Sequence, residues 1–482
     1  VRVNVRSLLT AAASRWPDRP AVIDEQGALT FADLEREVTR LEQELRARGL
    51  APGSGLGVIA RNGRGFITAL FAGLGAGATV MPISPELRRA ELDEMLQRAP
   101  LSMVIEDGSG ARPPGVPLGT IKVGASRFEL SRTGPEVQLA PQVPDAAFVR
   151  FTSGTTGTSK GVVISHAAVL ARTEAARAAL SVTEHDTIVW VLPMAYHFVV
   201  TIVMYVRYGA CIAICDSLLA TSVLASANNN RATVLYAAPT HYRMLAAEPS
   251  TVRFSHLRLA VSTSSAMSAD VAQAFLARFG LPITQIYGII EVGLPAGNLD
   301  HGATHPDTIG RPLPGYEIAV LDDDGEPVQQ GEVGHLAIRG PGMFDAYLDP
   351  PRLRAEVLRD GWFMTGDLAT LTVEGLVQVA GRHKSVINTA GLKVFPEEVE
   401  AVLNAHEHVQ TSRVYGAPHA MLGEVVYAEL VAVPGVEPDI EAIRRHCRKH
   451  LSAFKVPQRM ALVDEIAQTD SGKVVRHPDL RR

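Results

Sequence analysis

Short apolar runs and amphipathic stretches take turns along the chain as far as about Thr308, and that alternation restricts it to few folds. "LTFADLEREVTRLEQELRARGL" sets Leu34, Val38, Leu41 and Leu45 on one helical face, with Thr30 as N-cap and Gly49 as stop. "GSGLGVIARNG" follows as a short apolar strand between glycine turns, and "FITALFAGLGAGATVMPIS" as a small-residue helix running into a strand. Its "GLGAGA" lacks the dinucleotide spacing G-x-G-x-x-G, so these glycines are read as close helix packing. The alternation continues through "ATVLYAAPTHYRML" and "LRLAVSTSSAMSADVAQAFLARFGLPITQIYG". Strands separated by helical patterns predict parallel α/β sheets.

At 482 residues the chain is too long for one ordinary core, so two or three domains are expected. From Thr308 the pattern becomes glycine, proline and short β-runs, with "DDDGE" as a hairpin turn, and predicts a small β-subdomain over about 308–380. Beyond "GRHKSVIN" it turns mixed: a helix over "FPEEVEAVLNAH", strands at "VQTSRVYGA" and "VVYAELVAV", and a helix over "IEAIRRHCRKHL". These predict a separate α+β domain over 386–482 behind an N-terminal domain of residues 1–380.

Hydrophobic residues make up 46% and charged residues 20%, as in ordinary globular proteins, and the net charge of −5 offers no basic footprint for nucleic acid. Cys211, Cys215 and Cys447 form no disulfide framework; Cys211 and Cys215 have the spacing of one helix face, but no His/Cys set completes a zinc site. Buried, reduced cysteines and a cytoplasmic location are expected. No signal peptide is read in the N-terminal stretch. Ile188 to Val206 is apolar and uncharged but interrupted by Pro193, Tyr196 and His197, so a buried strand, a loop and a buried helix are expected rather than a membrane span.

"FTSGTTGTSKGVVISH", Phe151 to His166, poses the chemical question. Glycines let backbone N–H groups approach an anion, hydroxyls add donors, and Lys160 adds a cation, which makes a phosphate cradle. Gly154, Gly157 and Lys160 follow G-x-x-G-x-x-K, which is not the spacing of a Walker A loop.

This segment resembles the phosphate-binding signature of the adenylate-forming (ANL) superfamily, which includes acyl- and aryl-CoA synthetases, adenylation domains and firefly-type luciferases. "QIYGIIEVG", "GEVGHLAIRGPGMFDAYL", "DGWFMTGDL", "GRHKSVINTAGLKVFPEEVE" and "TDSGKVVR" resemble its later segments in the same order. The resemblance implies a large N-terminal domain of two doubly wound α/β subdomains plus a small β-subdomain, then a mobile α+β C-terminal lid swinging about a hinge at 381–385. It implies ATP and Mg2+ as cofactors and activation of a small-molecule carboxylic acid as acyl-AMP with loss of pyrophosphate. Transfer to a thiol follows, that of CoA or of an acyl carrier protein, in a monomer or homodimer.

Roles follow residue by residue from the resemblance. Thr152, Ser153, Gly154, Thr155, Thr156, Gly157 and Lys160 surround the ATP phosphates, and Glu291 binds Mg2+. Tyr287 stacks on adenine, with Gln285, Gly288, Ser264, Ser265 and Ala266 at the border of adenine and substrate. Asp367 accepts from the ribose hydroxyls, Arg382 adds a ribose or phosphate contact, and Lys473 bridges the substrate carboxylate and α-phosphate. Ser385 lies at the hinge and Gly391 lines the thiol channel.

The chain departs from the pattern in several places. Ile290 stands where the family usually has a threonine touching the AMP phosphate, Ser385 at the usual hinge aspartate or lysine, and Ser159 at a common loop proline; the "GGA"-like turn reads "SSA". A degenerate nucleotide- or acyl-binding protein without turnover is the rival expectation, opposed by the joint presence of Lys160, Glu291, Asp367 and Lys473. "PMAYHFVV" carries no acidic residue to hold a substrate ammonium, so a free α-amino acid is disfavoured. Tyr196, His197, Phe198, Val199 and Val200 predict an apolar or aromatic acid, with His197 as a gate at the carboxylate and Ala237, Ala238 and Gly288 leaving room for it.

Overall fold

The computed structural model describes residues 4–151, 160–389, 392–419 and 423–467. They divide into two compact units: 4–151, 160–317 and 339–361 in the first, and 318–338, 362–389, 392–419 and 423–467 in the second.

Two nine-stranded sheets build the first unit. At the centre of one lie Cys211–Ile214, Thr187–Trp190, Val234–Ala237, Leu259–Ser262 and Ile283–Ile289, all mutually parallel. At the centre of the other, Met103–Glu106, Gly55–Ile59, Thr79–Ile83 and Ala146–Phe151 are also parallel, and Gly161–Ser165 adds antiparallel to the last. Parallel strands need crossover helices, which is what the alternating sequence supplies. The helix Phe31–Ala47 starts where Thr30 Oγ1 accepts from the Asp33 amide (3.1 Å), and it buries Leu34, Val38, Leu41 and Leu45 as its spacing predicts. Gly73 confirms the close-packing reading of the glycine-rich helix: a Cβ there would lie 2.6 Å from Leu56 Cδ2 on the neighbouring strand.

The apolar stretch from Ile188 to Val206 breaks up as its composition requires. It forms the strand Thr187–Trp190, a short helix Met194–His197, a π-helical turn Phe198–Ile202 and the helix Val203–Arg207. Among the described residues no helix is long and apolar enough to cross a membrane. All three cysteines are free and buried, but Cys211 opens a strand and Cys215 follows its end, which corrects the helix-face reading. Burial pushes the Cys211 thiol up to about 12, so it stays protonated.

The segment 308–380 is not one continuous β-subdomain. Arg311–Pro312 pairs with Gly293–Gly297 in the first sheet, and Ala346–Tyr347 pairs with Gly161–Ser165 in the second. The Leu348 amide donating to the Gly161 carbonyl (2.6 Å) ties that return. The rest of the segment supplies a separate four-stranded sheet of Glu317–Leu321, Gly334–Arg339, Phe363–Leu371 and Val377–Arg382. Its "DDDGE" turn is closed by Asp322 Oδ1, which accepts from the Asp324 and Glu326 amides at 3.0 and 2.9 Å.

The C-terminal part of the second unit is a five-stranded sheet carrying the helices Pro396–Asn404 and Ile440–His450. Val399 and Leu403 from one helix and Ile443 and Cys447 from the other close a core over Val414 and Val426. The expected order of helix, two strands and helix is observed.

Candidate active site

Ligands of open parallel sheets collect beyond the carboxyl ends of the strands. Four groups of expected site residues lie there in the first unit. Tyr196 and His197 follow Thr187–Trp190, Ala237 and Ala238 end Val234–Ala237, and Ser264, Ser265 and Ala266 follow Leu259–Ser262. Gln285, Tyr287 and Gly288 belong to Ile283–Ile289. Ser264 has a φ of +77°, a region that non-glycine residues adopt at a cost and mainly at functional turns. Gln285 holds this turn: its buried Oε1 accepts from the Met267 amide at 2.9 Å, which makes it a brace for Ser265 and Ala266.

A charged corner forms around Glu291. The Tyr347 hydroxyl donates to Glu291 Oε1 (3.2 Å), and the Lys160 ammonium lies 4.6 Å from the centre of the Tyr347 ring. Burial and the neighbouring Glu291 carboxylate hold the Tyr347 phenol well above its usual pKa, so it remains a donor. Phe151 pairs with Gly161, which fixes the two ends of the glycine-rich segment side by side. Arg172 is buried here and fully engaged: Nε and Nη2 donate to the Gly342 carbonyl and Nη1 to the Ile290 carbonyl (3.0 Å). It therefore fixes the backbone immediately before Glu291. Arg150 stands in the same corner, its guanidinium 5.1 Å from the centre of the Tyr196 ring.

An aromatic wall faces the pocket residues. Trp190 stacks on Tyr236 at 5.2 Å, and His197 meets both edge-on at 5.6 and 6.0 Å. The Trp190 indole donates to the Leu192 carbonyl, so the wall is braced from behind. One expectation is corrected. Phe198 is a core residue, fully buried among Phe66, Phe71 and Phe148 at 5.7–6.0 Å, because the turn after His197 directs it inward. Gly288 is exposed, and a Cβ there would lie 2.7 Å from Leu294 Cδ2, so the position takes glycine. Ala237 is also fully buried, and His197 and Tyr196 remain half-buried.

In the second unit, Asp367 and Arg382 are register partners on adjacent strands. Arg382 Nε donates to Asp367 Oδ1 at 2.6 Å, and the Asp367 amide donates to Thr365 Oγ1 at 3.0 Å. Asp367 is 5% exposed, so the pair sets a carboxylate of fixed direction into a largely dry strand end. Ser385 closes the 3-10 turn His383–Ser385 after this strand. Thr152, Ser153, Gly154, Thr155, Thr156, Gly157, Ser159, Gly391 and Lys473 lie outside the described residues.

Sequence reading passed over Arg150, Arg172 and Tyr347. Arg150 had a signal, a lone charge in the apolar strand "AAFVRF" next to the glycine-rich segment. Tyr347 and Arg172 had none, since both act through residues distant in sequence.

The AMP-binding enzyme family matches residues 9–348, and the AMP-binding enzyme C-terminal domain matches residues 398–473. A feruloyl-CoA synthase from an Amycolatopsis species is 29% identical over 97% of this chain and 96% of its own. A fatty acid–[acyl-carrier-protein] ligase, ScoC, from Streptomyces coeruleorubidus is 29% identical over 96% of this chain and 93% of its own. Among solved structures, ATP-bound MatB from Rhodopseudomonas palustris superposes with a TM-score of 0.84 at 25% identity, covering 98% of this chain and 97% of that one.

Proposed function

The chain belongs to the AMP-binding enzyme family, and from that premise we propose that it is an ATP-dependent, AMP-forming acid–thiol ligase for an apolar or aromatic acid, with CoA as the thiol. A carboxylate oxygen forms a bond to the α-phosphorus of ATP while the bond to the β-phosphate oxygen breaks, and pyrophosphate leaves with the electron pair. The thiol then adds to the activated carbonyl, and AMP departs. The observation that carries this reading is the charged corner of Lys160, Tyr347 and Glu291 beside the glycine-rich segment.

Mg2+ would offset the negative charge of the ATP phosphates. Glu291 is the residue that would hold it. The fit is chemical: such a cation needs one or two carboxylates and completes its shell with phosphates and water, and Glu291 Oε2 takes no bond among the described residues. Asp367, oriented by Arg382, holds the ribose. Lys473 meets the reacting oxygens in one pose of the C-terminal domain, and Gly391 clears the thiol path in the other, with the swivel at Gly381–Ser385 and the domain boundary at 380. Tyr196 and His197, half-buried beyond the strand end, favour a flat or long apolar acid over a charged one. The free, buried cysteines suit a reducing cytoplasm.

A carrier protein as acceptor is favoured by one observation. Arg445, Arg448 and Lys449 are exposed on one helix, a basic surface of the kind that fits an acidic domain as well as the 3′-phosphate of CoA. The test is pyrophosphate release with ATP, Mg2+ and ferulate, a long-chain fatty acid or a free amino acid, with and without CoA, with products identified by mass. A CoA thioester of ferulate or the fatty acid is expected. Acyl-AMP accumulating despite CoA would move the acceptor to a carrier protein, and no release with any acid would sink the ligase.

A further inference from the structure

Two arginines lie in the charged corner, and only one is accounted for by the fold. Arg172 uses Nε, Nη1 and Nη2 on backbone carbonyls. Arg150 makes no hydrogen bond or ion pair among the described residues, and its Nε is buried without a partner. Its guanidinium lies against the Tyr196 ring, and the nearby Glu291 carboxylate is not within ion-pair distance, being bonded instead to Tyr347. Arg150 sits one residue before the end of the strand Ala146–Phe151, at the mouth of the glycine-rich segment, opposite Val162 in register. Burial lowers its pKa to about 10, with Tyr196 and Glu291 opposing, so it stays charged at neutral pH.

Arg150 as a residue is partly exposed, but its Nε is buried, and a cation with a buried idle donor is costly unless an anion completes it. Ile290, the residue before Glu291, has an apolar side chain and adds no donor of its own. Resting on the ligase reading, we propose that Arg150 is a catalytic residue that binds the reacting anions themselves, holding the carboxylate oxygen of the acid and the α-phosphoryl oxygen as they meet. These groups are both negative before the bond forms, and a planar guanidinium can donate to both at once. Tyr196 stacks on the guanidinium and fixes its plane, which gives Tyr196 a positioning role beside its place at the pocket. No proton moves in this step, so a permanent cation serves where a titrating group would not.

The test compares Arg150→Met and Arg150→Lys with the wild type by ATP–pyrophosphate exchange on ferulate and on a long-chain fatty acid, together with thermal unfolding of the ligand-free protein. Arg150→Met is expected to lower the exchange rate by about 10²-fold with either acid, while the Tm of the ligand-free protein stays the same or rises, because a donor buried without a partner has gone. Arg150→Lys should recover part of the rate. A fall in Tm alongside the fall in rate would make Arg150 a structural residue and overturn the proposal. Exchange unchanged in Arg150→Met would overturn it as well, and so would a loss that appears only as a higher KM for one acid, since that would assign Arg150 to reading the acid's tail. Wild-type protein that exchanges with no acid would remove the ligase reading beneath it, a failure distinct from either.

Discussion

The aromatic wall and the charged corner of the first unit approach each other where Tyr196, next to His197, lies against Arg150, but are completed in opposite ways. In the wall, Trp190, Tyr236 and His197 hold one another, and the indole has its acceptor within the chain. In the corner, among the described residues, Glu291 Oε2 takes no bond and Arg150 Nε is buried without a hydrogen-bond partner. A folded chain satisfies its buried polar groups unless a ligand is to do so. On the proposed function, the wall is scaffold and the corner holds the substrates.

Four perturbations would break or sharpen that contrast. Trp190→Ala removes the largest fully buried side chain of the wall and should destabilise the first unit by about 3–5 kcal/mol, read by denaturant unfolding. Exchange activity per folded molecule should change far less than stability. Glu291→Gln should do the reverse: the amide oxygen still accepts from Tyr347, so Tm holds, while adenylation loses about 3–4 kcal/mol of transition-state stabilisation. Equal effects of the two substitutions on rate would erase the distinction. Asp367→Ala should weaken ATP binding by about 1.5–3 kcal/mol by calorimetry, since the bonds to the ribose are charge-assisted. It also leaves Arg382 without its 2.6 Å partner, so Arg382→Gln should reproduce part of the loss.

The smallest effect is one of pH. Burial lowers the pKa of His166, whose Nδ1 accepts from the Val5 amide, and of His241, whose Nδ1 accepts from the Ala238 amide. Both are kept neutral in the folded chain, so the unfolded chain binds protons first as pH falls below about 6.5. Their stabilisation is complete above that pH and is lost on acidification toward the folded pKa values. Tm should therefore drop between pH 7 and 5.5, and a His166→Asn, His241→Gln double variant should flatten the profile; an unchanged slope would assign the acid sensitivity to other groups.

Much of the fold was legible because it rests on local periodicity. The helix after Thr30, the broken stretch after Ile188 and the closing order of helix, two strands and helix each follow from spacing, caps or interrupting residues. The return of Ala346–Tyr347 to the second sheet was not legible, because it depends on pairing with Val162 and Val163 across a long separation. At the site, ordered motifs identified Lys160, Glu291 and Asp367, and the structure adds the partners that act on them: Tyr347 on Glu291, Arg172 on the Ile290 carbonyl, Arg382 on Asp367. Phe198 was misread because an apolar residue beside a motif looks the same in sequence whether it faces a ligand or the core.

The most direct test of the account follows an atom. The acid that supports pyrophosphate release would be supplied with oxygen-18 in its carboxylate, and the released nucleotide analysed by mass. Attack of the carboxylate on the α-phosphorus predicts AMP carrying one labelled oxygen. Label in inorganic phosphate, or AMP without label, would show that the acid is not activated as an adenylate and would contradict the central claim.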